Sequence, residues 1–110
     1  MISLVLWWRQ RQRNRQLVRA VVAGDAVRAR QLLQDGANPN SGKLPLTHVC
    51  LERGDLFLFR LLVQHDALLG ARNVAGKSVY EVVETMPKEF QRALLERPEP
   101  PYWATRTRRY

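Results

Sequence analysis

An internal repeat constrains the fold of this chain more than any other feature of its sequence. The segment QLLQDGA at 31–37 aligns with LLVQHDA at 61–67, an offset of 30 residues. The same offset carries the Gly-Asp pair at 24–25 onto the pair at 54–55. An offset of 33 aligns Phe57, Leu61 and Leu62 with Phe90, Leu94 and Leu95, and Val49 and Cys50 with Val82 and Val83. The chain is therefore predicted to consist of similar units placed in series.

Each unit is predicted to form two short helices with a break between them. The expected pairs are 16–23 with 26–34, 46–53 with 56–65, and 78–85 with 88–96. In the first two pairs a glycine ends one helix by adopting positive φ, and the aspartate after it caps the next. Pro87 fixes φ for the first turn of the last helix. Helices of two turns are not stable alone in water, so the pairs must stack on one another.

These segments resemble the ankyrin repeat. QLLQDGANPN is similar to that family's second helix and following turn, LLLxxGADVN, and GDLFLFRLLVQ is similar to its GHLEVVKLLLE. AGKSVYEVV is similar to DGKTPLHLA. The resemblance implies an all-α solenoid of three units, at about 16–43, 44–76 and 77–97, with an N-terminal arm at 1–15 and a C-terminal tail at 98–110.

The repeat pattern departs from that family in informative places. No unit contains an intact T-P-L-H motif, and His48 takes the histidine position when residues are counted back from Gly54. The resemblance implies that this histidine makes a structural hydrogen bond to a neighbouring turn. The link between the first two units is short, so its projecting turn, or finger, should be blunted. The second finger, from Ala71 to Lys77, has full length.

Charge is distributed unevenly along the chain, which carries a formal net charge of +8 over 110 residues. Five arginines and no acid lie within residues 1–22, and the tail adds three arginines against Glu99. The middle of the chain is nearly neutral. The basic arms predict attraction to an anionic partner, which could be an acidic protein surface, acidic lipid or nucleic acid.

The two arms leave several interpretations open. The opening segment MISLVLWW is too apolar to remain in water, and it could cap the first unit, anchor to a membrane surface or dock into a partner protein. The RQRQRNR run after it forms a charged face. The tail YWATRTRRY could stack on nucleic-acid bases or serve as a partner-binding peptide.

Enzymatic and metal-dependent chemistry is not supported by the residue pattern. His48, His65 and Cys50 have no spacing typical of a zinc site, and no nucleophile has a histidine and an acid arranged beside it. The AGKS segment at 75–78 lacks the glycine that a phosphate-binding loop requires at position 71. We therefore expect no catalysis and no cofactor.

Several side chains are assigned to the core. Cys50 is expected to be buried in helix packing. Phe57 and Phe59 point to different sides of a helix, and both are expected to pack against the adjacent unit, with exposure of one of them at an interface as the alternative. The predicted core leucines are Leu32, Leu33, Leu61, Leu62, Leu94 and Leu95.

A protein-binding module is the function that the resemblance implies, with contacts on the concave face and the fingers. Position by position, the contact candidates are Glu52, Arg53, Val74, Ala75, Lys77, Thr85 and Met86. The arms add Trp7, Trp8, Arg9, Arg11, Arg13, Trp103, Arg106, Arg108, Arg109 and Tyr110. The expected location is the cytoplasm, either free or peripheral at a membrane, because no apolar run is long enough to span a bilayer.

Overall fold

The computed structural model describes residues 2–96, which form an all-α fold. The helices are α1 (Ile2–Ala23), α2 (Ala26–Gln34), α3 (Leu46–Arg53), α4 (Leu56–Gln64), α5 (Val79–Glu84) and α6 (Lys88–Ala93), followed by a 3-10 helix at Leu94–Glu96. These residues contain no β-strand, and a single antiparallel bridge joins Arg72 to Ser78. The all-α class predicted from the sequence is confirmed for this part of the chain.

The breaks inside the first two helix pairs lie where the Gly-Asp signals predict them. Gly24 follows α1 with φ of 75°, and Gly54 follows α3 with φ of 67°. Both conformations are left-handed, and they would be sterically unfavourable for a residue with a Cβ atom. The Asp25 carboxylate then accepts a hydrogen bond from the Arg28 amide at 3.1 Å. Asp55 caps α4 in the same way, so each break uses the same pair of local interactions.

The third pair is shorter than the sequence predicts. Ser78 caps α5 by accepting a hydrogen bond from the Glu81 amide at 3.3 Å, and α6 ends at Ala93. The chain then tightens into the 3-10 helix, whose shorter turn rotates the following side chains away from the α-helical register. The prediction that Leu95 lies in the core is consequently wrong, because 86% of its surface is exposed, and Leu94 is only partly buried.

Helix α1 begins at Ile2, much earlier than the predicted start at residue 16. Residues 2–23 contain no glycine or proline, and half of them are Leu, Arg or Gln, which favour a helix. The N-terminal arm therefore continues the first helix of the first pair. It does not fold back as a cap over the first unit, because the side chains of residues 4–8 are all more than half exposed.

The helix pairs lie side by side in two layers. In one layer α1 contacts α3 and α3 contacts α5, while in the other α2 contacts α4 and α4 contacts α6. Apolar side chains fill the space between them, and the Phe59 and Phe90 rings pack with centroids 6.0 Å apart. The buried positions of Leu32, Leu33, Leu61 and Leu62 confirm those core predictions. Phe59 is fully buried, whereas Phe57 is more than half exposed, which agrees with the alternative that the helical spacing left open and not with packing of both rings.

The connections between pairs are held by hydrogen bonds of both side chains and backbone. His48 Nε2 donates to the carbonyl oxygen of Ala71 at 2.7 Å, which confirms its predicted contact with a neighbouring turn. In the second finger the Asn73 amide donates to the Lys77 carbonyl at 3.0 Å. The Asn40 side chain accepts from the Leu68 amide at 2.8 Å and ties the two connections together.

Candidate functional site

A row of arginines runs along the exposed side of α1. Arg11, Arg15 and Arg19 are four residues apart, so their side chains follow one another on one helix face, with Cα positions separated by roughly 6 Å along the axis. All three are exposed. The opposite face of α1 packs against the rest of the protein through Leu17 and Val21, which are fully buried. This packing fixes the direction in which the arginine row points.

The connection between the first two helix pairs lies beside this row. The Asn38 amide donates to Asn14 Oδ1 of α1 at 2.8 Å, and Ser41 Oγ donates to the Asn38 carbonyl at 2.7 Å. Gly42 then passes close to α1 with φ of 96°. A Cβ atom added there would lie 3.1 Å from Val18 Cγ2, so both the close approach and the backbone conformation favour glycine.

Helix α1 and the connection at 38–43 form the walls of an open groove of about 690 Å³. We call it the basic groove; its walls are Arg11, Asn14, Arg15, Val18, Arg19, Asn38, Ser41, Gly42 and Lys43. Four of these residues are cationic and none is acidic. None of the four forms an ion pair within residues 2–96, where the ion pairs are Arg60–Glu96 and Arg72–Glu81. The groove therefore gathers four positive charges that are not neutralised by acidic side chains, around a small apolar patch at Val18.

The basic groove includes only one of the contact residues predicted from the sequence, Arg11. Sequence reasoning missed Arg15, Arg19 and Lys43. The four-residue spacing of Arg11, Arg15 and Arg19 was a signal that could have identified the first two, because such residues share a helix face. Lys43 joins them only because the connection folds back against α1.

The other predicted arm residues surround the N-terminal half of α1. Trp7, Trp8 and Arg9 are exposed outside the groove, and Arg13 is partly buried. The Arg11 guanidinium lies over the Trp7 ring, 5.2 Å from its centroid, which is a cation–π geometry. The predicted contact residues Trp103, Arg106, Arg108, Arg109 and Tyr110 lie outside the described residues.

Two predicted contact residues at the end of α3 have different surroundings. Glu52 is exposed, whereas the guanidinium of Arg53 donates a hydrogen bond to the Val22 carbonyl of α1. Arg53 also lies directly beside Gly24, where an added Cβ would collide with its guanidinium. Arg53 is also exposed, and its side chain joins α3 to the end of α1, so its role as a contact residue stays a prediction.

The remaining predicted contacts lie at the second finger and at the third break. Val74, Ala75 and Lys77 are all exposed at the finger, but none lines the basic groove. Thr85 is exposed, and its hydroxyl donates to the Val82 carbonyl at 2.7 Å. Met86 is partly buried against the core, and its role as a contact residue stays a prediction. The structure does not bring these residues together with the arginine row.

The single cysteine is held in a protonated state. Cys50 is fully buried, and this burial, together with the nearby Asp55 carboxylate, raises the pKa of its thiol to about 12. A protonated thiol is a weak nucleophile and a poor metal ligand. Within residues 2–96 no three His, Cys, Asp or Glu side chains are grouped so that they could hold a metal ion.

Among the helices of the same residues, none is both long enough and apolar enough to cross a bilayer.

Comparison of the chain with protein-family models, with curated proteins and with solved structures found no match.

Proposed function

We propose that this protein is a non-enzymatic interaction module that binds an acidic segment of a partner protein in the basic groove. The observation that carries the proposal is the set of four cations, Arg11, Arg15, Arg19 and Lys43, gathered around one groove without acidic neighbours in its walls. Unpaired guanidinium groups donate hydrogen bonds readily to carboxylates, often two at a time. An acidic peptide lying along α1 would supply the missing charges at intervals that match the arginine row.

The arrangement of the helices supports an ankyrin-like architecture for the module. The groove lies between the first helix of a pair and the connection that follows the pair. The serial helix pairs, the repeated Gly-Asp breaks and the His48–Ala71 hydrogen bond are features that such an architecture would have. In this proposal residues 16–97 form three ankyrin-like units, and α1 extends beyond the first of them.

The contrast between the buried cysteine and the exposed arginines also fits a binding role. The Cys50 thiol, with its pKa of about 12, is buried and uncharged at neutral pH. Exposed arginines, in contrast, are available for contact without any rearrangement of the core. The chemistry that the surface offers is therefore recognition of negative charge.

The test is a binding titration with labelled acidic and neutral peptides of equal length, followed by fluorescence anisotropy. The groove variant carries Arg15→Glu and Arg19→Glu. Its matched control carries Lys88→Glu and Arg92→Glu, which are also exposed, also four residues apart on one helix, and change the net charge by the same amount. We expect the groove variant to lose affinity for the acidic peptide by about tenfold or more, and the control to remain close to the wild type.

Two outcomes would contradict the proposal. Equal losses in the groove variant and its control would mean that overall charge, and not the groove, attracts the peptide. Tighter binding of a single-stranded oligonucleotide than of the acidic peptide, with the same dependence on Arg15 and Arg19, would assign the groove to nucleic acid. Circular dichroism of each variant checks that the helices are retained.

A further inference from the structure

The first turns of α1 carry a cluster of uncovered apolar side chains. Leu4, Val5, Leu6, Trp7 and Trp8 have exposed fractions between 52% and 66%. Consecutive residues of an α-helix are rotated by about 100°, so five in a row surround the whole circumference. We call residues 4–8 the apolar end. It differs from an ordinary amphipathic helix, where apolar residues form one stripe.

The apolar end projects beyond the helices that cover the rest of α1. The first side chain of α1 that hydrogen-bonds the body of the protein is Gln10, whose amide donates to the Gly36 carbonyl at 2.9 Å. Asn14 and Leu17 continue these contacts one and two turns later. Leu4 lies roughly 9 Å along the axis from Gln10, at 1.5 Å per residue. The apolar end is thus exposed because the helices and connections that contact α1 reach only as far as Gln10.

Positive charge follows the apolar end directly. We call Arg9, Arg11, Arg13 and Arg15 the arginine collar. Residues two apart on a helix point to nearly opposite sides, so the alternation of arginine with Gln and Asn distributes the charges around α1. No acidic residue occurs in α1, and none of the four arginines forms an ion pair within the described residues. The collar therefore attracts anions from several directions at once.

We propose that the apolar end inserts into the surface of an anionic phospholipid bilayer, with the arginine collar on the lipid phosphates. The collar shares Arg11 and Arg15 with the basic groove, whereas the apolar end lies outside the groove. Residues 4–8 span roughly 6–8 Å along the helix axis, which agrees with the depth of about 5–10 Å at which interfacial helices bury apolar side chains. Trp7 and Trp8 then lie at the headgroup level, where tryptophan is favoured, and the arginines extend to the phosphates.

The geometry favours a bilayer over the other possible occupants. A groove on a protein accepts one stripe of a helix, whereas lipid can surround the whole circumference of the apolar end. A second copy of the chain would bring two arginine collars together, and like charges repel. An anionic lipid surface satisfies both features, because it offers apolar chains to residues 4–8 and negative charge to the collar.

The experiment is co-sedimentation of the full chain with vesicles of phosphatidylcholine mixed with phosphatidylglycerol, and with vesicles of phosphatidylcholine alone. The test variant carries Trp7→Ser and Trp8→Ser. Its control carries Val74→Ser and Leu95→Ser, which remove apolar side chains elsewhere on the surface that are even more exposed than Trp7 and Trp8. We expect wild type and control to bind the mixed vesicles, and the test variant to bind at least about tenfold more weakly.

The collar is tested with Arg9→Glu, which lies outside the basic groove, against Lys88→Glu as the charge-matched control. We expect Arg9→Glu to lower the affinity for mixed vesicles several-fold and Lys88→Glu to change it little. Binding of the wild type should also weaken at high salt.

In a Trp103→Phe background, fluorescence from Trp7 and Trp8 should shift to shorter wavelength on mixed vesicles and be quenched by brominated lipid.

Three results would overturn the inference. These are failure of the wild type to bind mixed vesicles, equal binding of the Trp7 and Trp8 double variant, and equally strong binding to phosphatidylcholine alone. Dimerisation in sedimentation velocity that is lost in the double variant would instead assign the apolar end to a second copy. Peptide affinity of the Trp8→Ser single variant, in which Trp7 still lies under Arg11, is expected to stay unchanged. Arg19→Glu changes the basic groove and leaves the apolar end and the collar intact, so a loss of peptide binding with vesicle binding retained distinguishes failure of one proposal from failure of the other.

Discussion

The two halves of α1 are equally helical but have different surroundings. In the C-terminal half Leu17 and Val21 are fully buried against neighbouring helices, while in the N-terminal half Leu6 and Trp7 are each 58% exposed. Both halves contain large apolar side chains, so hydrophobicity alone does not distinguish them. The difference shows that the C-terminal half stabilises the fold, whereas the N-terminal half is available for contacts outside it.

The largest expected effect comes from exchanging one leucine in each half for alanine. Leu17→Ala leaves a cavity in the core and should lower the free energy of unfolding by about 2–5 kcal/mol. Leu6→Ala removes a side chain that is mostly in water and should change it by less than about 0.5 kcal/mol. Urea unfolding followed by circular dichroism measures both. Similar losses in the two variants would show that the N-terminal half is also part of the core.

The second prediction concerns Cys50 of α3, the helix that packs beside the C-terminal half of α1. Burial, with the Asp55 charge adding to it, raises the pKa of the thiol from 9.0 to about 12. Above pH 9 the unfolded chain loses this proton while the folded protein keeps it. The stabilisation is therefore complete below pH 9 and is lost as the pH rises, by about 1.4 kcal/mol per unit towards pH 12.

The measurement is the free energy of unfolding as a function of pH for the wild type and for Cys50→Ala. The contribution from other titrating groups is common to both proteins, so the difference between their slopes isolates the thiol. We expect the fall above pH 9 to be shallower in Cys50→Ala. Identical slopes would mean that water reaches this part of the core, and that the layer beside α1 is less tightly packed than its burial indicates.

The smallest effect on the free energy of unfolding is expected from a substitution at the boundary between the two halves of α1. Asn14 Oδ1 accepts hydrogen bonds from the Asn38 amide at 2.8 Å and from Gln10 Nε2 at 2.9 Å. Asn14→Ala removes both and should cost about 0.5–1.5 kcal/mol. Amide hydrogen exchange should accelerate N-terminal to residue 14 with little change at 17–23. Gln12→Ala is the control, and an equal effect there would show that the helix boundary does not depend on Asn14.

Local signals predicted most of the helix boundaries. The bounds of α2 and α3 agree with the prediction, and α4 differs by one residue. This success has a physical reason: Gly24 and Gly54 need their positive φ, and Asp25 and Asp55 cap the next helix, through contacts made within a few residues. The burial of Cys50 was predictable for a related reason, since its repeat position faces the neighbouring helices.

The candidate site was less predictable, since its parts are distant in the sequence. Lys43 belongs to the basic groove because Gly42 lets the connection approach Val18, and no local pattern encodes that approach. Arg53 was predicted as a contact residue, yet its guanidinium reaches the Val22 carbonyl of another helix. Leu95 was assigned to the core by the repeat, but the 3-10 helix turns it outward.

The sequence by itself determined the paired helices, their breaks and the excess of positive charge near the N-terminus, because these depend on conformational preferences and composition. Only the tertiary structure decided which of the arginines gather beside Lys43 and which apolar side chains of α1 remain uncovered. Burial depends on segments that meet in space, and on α1 those segments reach as far as Gln10 and leave residues 4–8 exposed.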